Sequence, residues 1–321
     1  MKKKLLFIYN ACAGKGKIRN QLVDIIEIFA RKNYDVTVVP TLKRGDAEET
    51  ARKRCEDFEM VVCSGGDGTL DEVVNGIIKS GQDVPVGYIP AGSTNDYANS
   101  LGLPKGMKQA AKIAVGKEIC KCDVGQIDES VFVYVAAFGA FTEVSYATPQ
   151  ETKNLLGHAA YILEGMKTLH TIRSCRMKVS ANGETIEDDF IYGMVTNSIS
   201  IAGFKNNTNK NVLLDDGLFE VTLIRKPKNA IELQTIIASL LIEEFDSKYM
   251  YVFKAGEIIF ESEEEIPWTL DGEFGGKRKV TKIINHKQAI SIKVNTKNVM
   301  KLMEQEKMQQ NYSLLDKDMV D

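Results

Sequence analysis

Ser64-Gly65-Gly66-Asp67-Gly68-Thr69 follows the apolar run Met60-Val61-Val62-Cys63 and precedes Leu70, Val73, Val74, Ile77 and Ile78 at helical spacing. A strand that stops at two glycines and re-emerges as a helix is the joint of a βα unit. The glycines let the backbone approach a ligand where a Cβ would collide. The first N–H groups of the helix lack intrahelical partners, and with the helix dipole they favour an anion, phosphate above all. Asp67 beside phosphate is repulsive unless a cation lies between them, so the turn points to Mg2+ as well. The six residues predict nucleotide binding with a metal.

The same alternation surrounds this turn. Residues 5–9 are continuously apolar, as a buried parallel strand requires, and Ile18, Leu22, Ile25, Ile26 and Phe29 predict one helix face after it. Residues 36–39 read as a strand closed by Pro40, residues 46–55 as a short polar helix, and residues 84–89 as a fourth strand. Repeated βα units predict a parallel sheet that binds ligands at the carboxyl ends of its strands. From about residue 118 the pattern turns to short strands: 119–127, 131–138, 175–181, 190–196, 218–224, 249–253, 257–260 and 289–294. Asn182-Gly183 is a hairpin signal among them. Helical spacing returns in residues 155–169, 230–241 and 299–308. The expected fold is α/β in two domains with a cleft between them. Residues 1–122 form a nucleotide-binding parallel sheet and residues 123–295 a β-rich antiparallel sandwich or barrel, with a helix in 296–321 packing back on the first.

Composition narrows the partners. The 321 residues carry a net charge of -3, so no global basic field draws the chain to nucleic acid. No apolar run approaches the roughly 20 residues that span a bilayer. The apolar stretch after Lys2-Lys3-Lys4 ends at Asn10, too short for a secretion signal. Six scattered cysteines and three histidines argue for reduced thiols, a cytoplasmic setting and no histidine-based metal site.

Four further clusters could carry chemistry. Tyr9-Asn10-Ala11-Cys12-Ala13-Gly14 ends the first strand, where Asn10 can offer an amide to phosphate or ribose. Gly92-Ser93-Thr94-Asn95-Asp96 ends the fourth and would lie beside the diglycine turn, although Ser, Thr and Asn there are also ordinary helix caps. Leu213-Leu214-Asp215-Asp216-Gly217-Leu218 is a turn whose oxygens suit a hard cation. In Trp268-Thr269-Leu270-Asp271-Gly272-Glu273 a carboxylate on a strand turn could take a proton from a hydroxyl. Each Asp-Gly is, on its own, simply a turn.

In this order and spacing, the Ser64–Gly76 segment (SGGDGTLDEVVNG), the Gly92–Asp96 turn, Asp216-Gly217-Leu218 and Asp271-Gly272-Glu273 resemble the bacterial diacylglycerol kinase-like lipid kinases, relatives of sphingosine and ceramide kinases. The resemblance spans about residues 4–294 and implies a Rossmann-like, phosphofructokinase-like first domain. It implies ATP binding by Asn10, Ala11, Cys12, Ala13, Gly14, Thr41, Gly65, Gly66, Asp67, Gly68, Thr69, Leu70, Asp71 and Thr94. Asp67, taken as catalytic, would help to order ATP and its Mg2+, with Asp123 tied to that network. Leu213 and Leu218 (through carbonyls) and Asp216 match a structural magnesium site, whereas Asp215 matches no ligand position. Glu273 matches the general base. Ala11 and Ala13 stand where the family has proline and serine, which removes a fixed φ and a hydroxyl but keeps the backbone donors.

The resemblance thus implies transfer of the ATP γ-phosphoryl group to a lipid hydroxyl, diacylglycerol foremost, by an enzyme peripheral to the inner membrane face. An NAD kinase-like or other small-molecule kinase, and a non-catalytic nucleotide- or lipid-binding module, stay open. So do the lipid acceptor, ATP against GTP, and a homodimer through the C-terminal domain.

Overall fold

The computed structural model describes residues 2–139, 173–198, 200–201, 204–205, 213–241 and 246–299. These fall into two compact units, one of residues 2–122, 213–215 and 288–299, the other of the remainder.

The first unit runs β1 (Lys3–Asn10), a 3-10 segment (Ala13–Asn20), α1 (Leu22–Arg31), β2 (Tyr34–Thr41), α2 (Asp46–Arg54), β3 (Met60–Gly65), α3 (Asp67–Ser80), β4 (Val86–Pro90), α4 (Asp96–Ser100) and α5 (Met107–Ala114). β1 pairs in parallel with β2 and β3, and β3 in parallel with β4. Leu5, Leu6, Phe7 and Ile8 are fully buried because both faces of β1 are covered. On one face Phe29 of α1 meets Phe7 edge-on, with ring centroids 5.4 Å apart, and Ala110, Ala111 and Ala114 of α5 join the same cluster. Leu70, Val73, Val74 and Ile77 bury the apolar stripe of α3. Gly76 lets α3 lie close to α2, since a Cβ there would sit 2.8 Å from that of Ala51.

Two elements differ from the sequence expectation. The helix expected from Ile18 starts only at Leu22: residues 13–20 form a 3-10 segment, with left-handed φ at Gly14, Lys15 and Gly16 (55°, 62° and 71°), and non-helical Gln21 (φ -121°) separates it from α1. Pro40 does not close β2 but lies within it. Among the described residues β2 pairs with β1 alone, and an edge strand tolerates a residue that cannot donate.

The second unit is antiparallel. Its strands are β5 (Ile119–Ile127, entered at Asp123), β6 (Ser130–Phe132), β7 (Val135–Gly139), β8 (Cys175–Ala181), β9 (Glu184–Thr196), short β10 (Ser200–Ile201) and β11 (Phe204–Lys205), β12 (Phe219–Arg225), β13 (Met250–Ala255), β14 (Glu257–Leu270) and β15 (Glu273–Lys293). Helix α6 spans Ala230–Leu241. Asn182 and Gly183 (φ 53° and 79°) make the expected hairpin between β8 and β9. Phe138, Phe260 and Trp268 stack edge-to-face, with centroids 5.0–5.8 Å apart, in a core shared with Phe219, Val221 and Leu223. β14 and β15 are far longer than the runs 257–260 and 289–294 marked by apolar alternation. Charged residues interrupt that alternation from Glu261 to Glu265 and from Lys277 to Lys282. The last residues of β15 belong to the first unit, where Ile292 pairs in parallel with Val86 of β4. The helices expected at 155–169 and in most of 296–321 lie outside the described residues.

Candidate active site

In the first unit, three strand-ending turns meet at glycines. A Cβ on Gly14, after β1, would overlap the carbonyl oxygen of Ala91, after β4. A Cβ on Gly92 would lie 2.7 Å from the Cα of Gly66, after β3. A Cβ on Gly65 would collide with the Thr69 side chain. Around Gly68, by contrast, nothing lies within 4 Å of an added Cβ. The turns are therefore packed backbone to backbone, while the space beside Gly68 is free.

Hydrogen bonds fix this arrangement. Gly65 O accepts from Ala91 N–H at 2.7 Å and from the Tyr88 hydroxyl at 3.3 Å. Burial first, then the charges of Asp67 and its neighbours, push the Tyr88 hydroxyl well above its usual range, so it stays a donor. Asn95, in the left-handed region (φ 52°), accepts from Gly92 N–H and donates to Gly92 O, both at 2.8 Å. Asp67 Oδ2 accepts from Asp96 N–H at 3.1 Å, so the carboxylate read as a metal partner also ties the third turn to the fourth. Thr69 and Leu70 N–H both reach back to Gly66 O, which closes the first turn of α3. Gly68 N–H is left without a partner among the described residues, so the donors for an anion are fewer than the sequence suggests.

The other nucleotide candidates separate by role. Asn10 Oδ1 accepts from Cys12 N–H at 2.9 Å and shapes the turn through Ala11, while Ala13 and Gly14 open the 3-10 segment. Thr41 stands opposite Asn10 at the carboxyl edge of the sheet. Leu70 is a core residue, 1% exposed. Asp71 accepts from Asn75 at 2.9 Å, and Thr94 accepts weakly from Asn99 at 3.5 Å. Glu72, missed from sequence, takes Gly45 N–H at 2.8 Å and Ala47 N–H at 3.1 Å, and so anchors the start of α2. Nothing in its spacing marks it, since a glutamate one turn into a helix is ordinary.

The second unit holds Glu273, Asp216, Leu218 and Asp123, while Leu213 belongs to the first. Glu273 is exposed and opens β15 directly after the two-residue turn Asp271-Gly272 (φ 49° and 86°). Asp271, read from sequence only as part of a turn, is 5% exposed and accepts three consecutive amides: Val133 at 2.6 Å, Tyr134 at 3.0 Å and Val135 at 2.8 Å. The bend that carries Glu273 is thereby fastened to the link between β6 and β7 and to the first residue of β7. Asp123 is fully buried and accepts from Gly217 N–H at 2.6 Å and from Asn285 at 3.3 Å. Asp216 caps its own turn through Leu218 N–H at 2.9 Å and faces the Lys254 ammonium at 3.6 Å. Lys254 in turn pairs with fully buried Glu220 at 2.9 Å. Burial pushes the Glu220 carboxyl up to about 7, against the opposing pull of Lys254. No cluster of three or more His, Cys, Asp or Glu side chains suited to a metal occurs among the described residues.

The sequence profile of the diacylglycerol kinase catalytic domain matches residues 4–127. Over 294 residues the chain is 31% identical to the diacylglycerol kinase of Staphylococcus carnosus (strain TM300), covering 91% of this chain and 95% of that one. The chain belongs to the diacylglycerol kinase family. This kinase is also 29% identical to the diacylglycerol kinase of Bacillus subtilis (strain 168), covering 85% and 91% of the two chains. Its fold is that of a diacylglycerol kinase from Bacillus anthracis str. Sterne (TM-score 0.72, 22% identity, 91% and 97% covered). An NAD kinase from Archaeoglobus fulgidus, solved in complex with ATP, shares the fold more distantly (TM-score 0.56, 14% identity, 94% and 98% covered). No described helix of this kinase is long and apolar enough to cross a membrane.

Proposed function

We propose that this kinase transfers the γ-phosphoryl group of ATP to the free hydroxyl of diacylglycerol, at the surface of a membrane it touches only peripherally. The observation that carries the reading is the backbone-to-backbone meeting of the turns at Gly14, Gly66 and Gly92, with free space beside Gly68, in a chain of this family. Phosphoryl transfer asks a protein chiefly for positioning and for charge stabilisation, since the transition state is loose and needs little covalent help. The Gly68 amide and the α3 dipole hold phosphate oxygens. Asp67, already bound to Asp96 N–H, keeps the third and fourth turns in register around them. Magnesium, when bound with ATP, supplies neutralisation of the phosphate charge. Leu213 and Leu218 (through carbonyls) and the Asp216 carboxylate fit a second, structural magnesium by donor chemistry, all hard oxygens. Glu273 takes the hydroxyl proton as the acceptor attacks, because an alcohol is a poor nucleophile at neutral pH.

The test is a thin-layer assay with γ-labelled ATP against diacylglycerol, other long-chain alcohols and NAD+. Label in phosphatidic acid is the expected outcome, and label only in NADP overturns it. Glu273→Gln should cut kcat by at least a hundredfold (roughly 3 kcal/mol) with nucleotide affinity within about twofold. Unchanged kcat in a folded variant removes Glu273 as the base.

A further inference from the structure

Two thiols of β5 face each other in a position that the phosphotransfer reading leaves unused. Cys120 and Cys122 are two apart on an extended strand, so both side chains point to one face. Their sulfurs are 3.7 Å apart. Cys122 is fully buried, whereas Cys120 is partly exposed. The pair combines one thiol within reach of solvent with a second buried beside it. That division of access is what a reactive and a resolving cysteine require.

We propose that Cys120 and Cys122 are a modification site at which a peroxide closes an intrachain disulfide. The Cys120 thiolate attacks the peroxide O–O bond, giving the sulfenic acid Cys120–SOH and releasing the other oxygen as hydroxide or water. The Cys122 sulfur then attacks the Cys120 sulfur and forms the S–S bond. The sulfenic oxygen leaves as water, carrying the proton lost from Cys122. One peroxide is reduced and two thiols are oxidised, so the electrons balance. The sulfurs must close from 3.7 Å to about 2.05 Å. Two residues of extended strand span about 6.6 Å between Cα atoms, near the upper end of what a disulfide bridges, so closure puckers the strand. A strained disulfide of this kind is readily reduced again.

The pucker has an address. Cys122 immediately precedes Asp123, whose carboxylate accepts Gly217 N–H at 2.6 Å and Asn285 at 3.3 Å and whose carbonyl accepts from Asn197 at 3.2 Å. Shortening the backbone at 120–122 pulls Asp123 away from those donors, so oxidation loosens the loop that carries Asp216 and Leu218. The inference concerns thiol chemistry and does not depend on which phosphoryl acceptor the enzyme uses.

The test treats the whole protein with hydrogen peroxide, blocks remaining thiols with iodoacetamide and digests with a protease cutting after glutamate, which releases residues 119–129 in one peptide. The expected result is that peptide 2 Da lighter and unalkylated, restored to the doubly alkylated form by dithiothreitol. In Cys122→Ser the same treatment should leave Cys120 reactive to dimedone. The melting temperature should fall on oxidation and recover on reduction, and it should not move in Cys120→Ser. Peroxide consumed at exposed Cys12 while 119–129 stays doubly alkylated overturns the proposal. So does oxidation of Cys120 to the sulfinic acid with Cys122 still alkylated. A closed ring with an unmoved melting temperature overturns the link to Asp123.

Discussion

Asp271 gathers three successive amides of residues 133–135 on one buried carboxylate, and the turn it occupies is left-handed at both residues. Hydrogen bonds to a charged group are worth about 1.5–3 kcal/mol each, and buried donors left unmade cost a similar amount. Asp271→Ala should therefore lower the unfolding free energy in urea by at least about 3 kcal/mol. A change under about 0.5 kcal/mol would mean that the amides find water instead. Glu220 acts in the opposite sense. Its folded-state value of about 7 lies above its ordinary 4.5, so the folded protein holds the proton more tightly. Its contribution to stability is complete below about pH 4.5 and fades as pH rises through about 7, by up to roughly 3 kcal/mol. Relative to Glu220→Gln, the native protein should lose melting temperature between about pH 5 and about pH 8. A difference that stays constant over that range contradicts the assignment. Neither residue was legible as such in the sequence. Asp271 sits in a plain Asp-Gly turn signal, and burial of Glu220 depends on strands far apart in the chain.

Among elements, the β3–α3 joint was the most legible, because its glycines answer to a local steric need. Two of its three glycines, Gly65 and Gly68, are not equivalent. Gly65→Ala forces a Cβ into Thr69 and should destabilise the protein, by about 1–3 kcal/mol for overpacking of this kind. Gly68→Ala meets nothing within 4 Å and should leave stability within about 0.5 kcal/mol. If the phosphates bind where the proposed function puts them, the added methyl group should nevertheless weaken ATP binding at least tenfold by calorimetry. Equal ATP affinity in a folded Gly68→Ala protein would move the phosphates elsewhere. The 3-10 segment was illegible for a related reason. Ile18, Leu22, Ile25 and Phe29 keep helical spacing, but Gly14, Lys15 and Gly16 turn left-handed, and spacing alone carries no sign of φ.

At the scale of the molecule, the βα alternation of the first unit could be read from its apolar runs. The continuation of β15 into that unit could not, because a parallel pairing across some two hundred residues leaves no local mark. Ile292 is fully buried, Val294 is 3% exposed, and Val294 N–H bonds Glu118 O at 3.3 Å. A fragment of residues 1–122 should therefore lose amide protection in hydrogen exchange on the side of β4 around Val86 that meets Ile292, while the side bonded to β3 keeps it, and fusing residues 288–299 should restore the loss. Full protection in the shorter fragment would show that the sheet closes without its late strand.

That discontinuity also bears on how the chain is made. The nascent polypeptide completes residue 122 well before residue 288, and translation at roughly 5–20 residues per second separates the two by about ten to thirty seconds. Throughout that interval the outer flank of β4 stands bare at the ribosome exit. Chaperone occupancy on arrested nascent chains should accordingly persist until residues 288–294 have emerged from the ribosome.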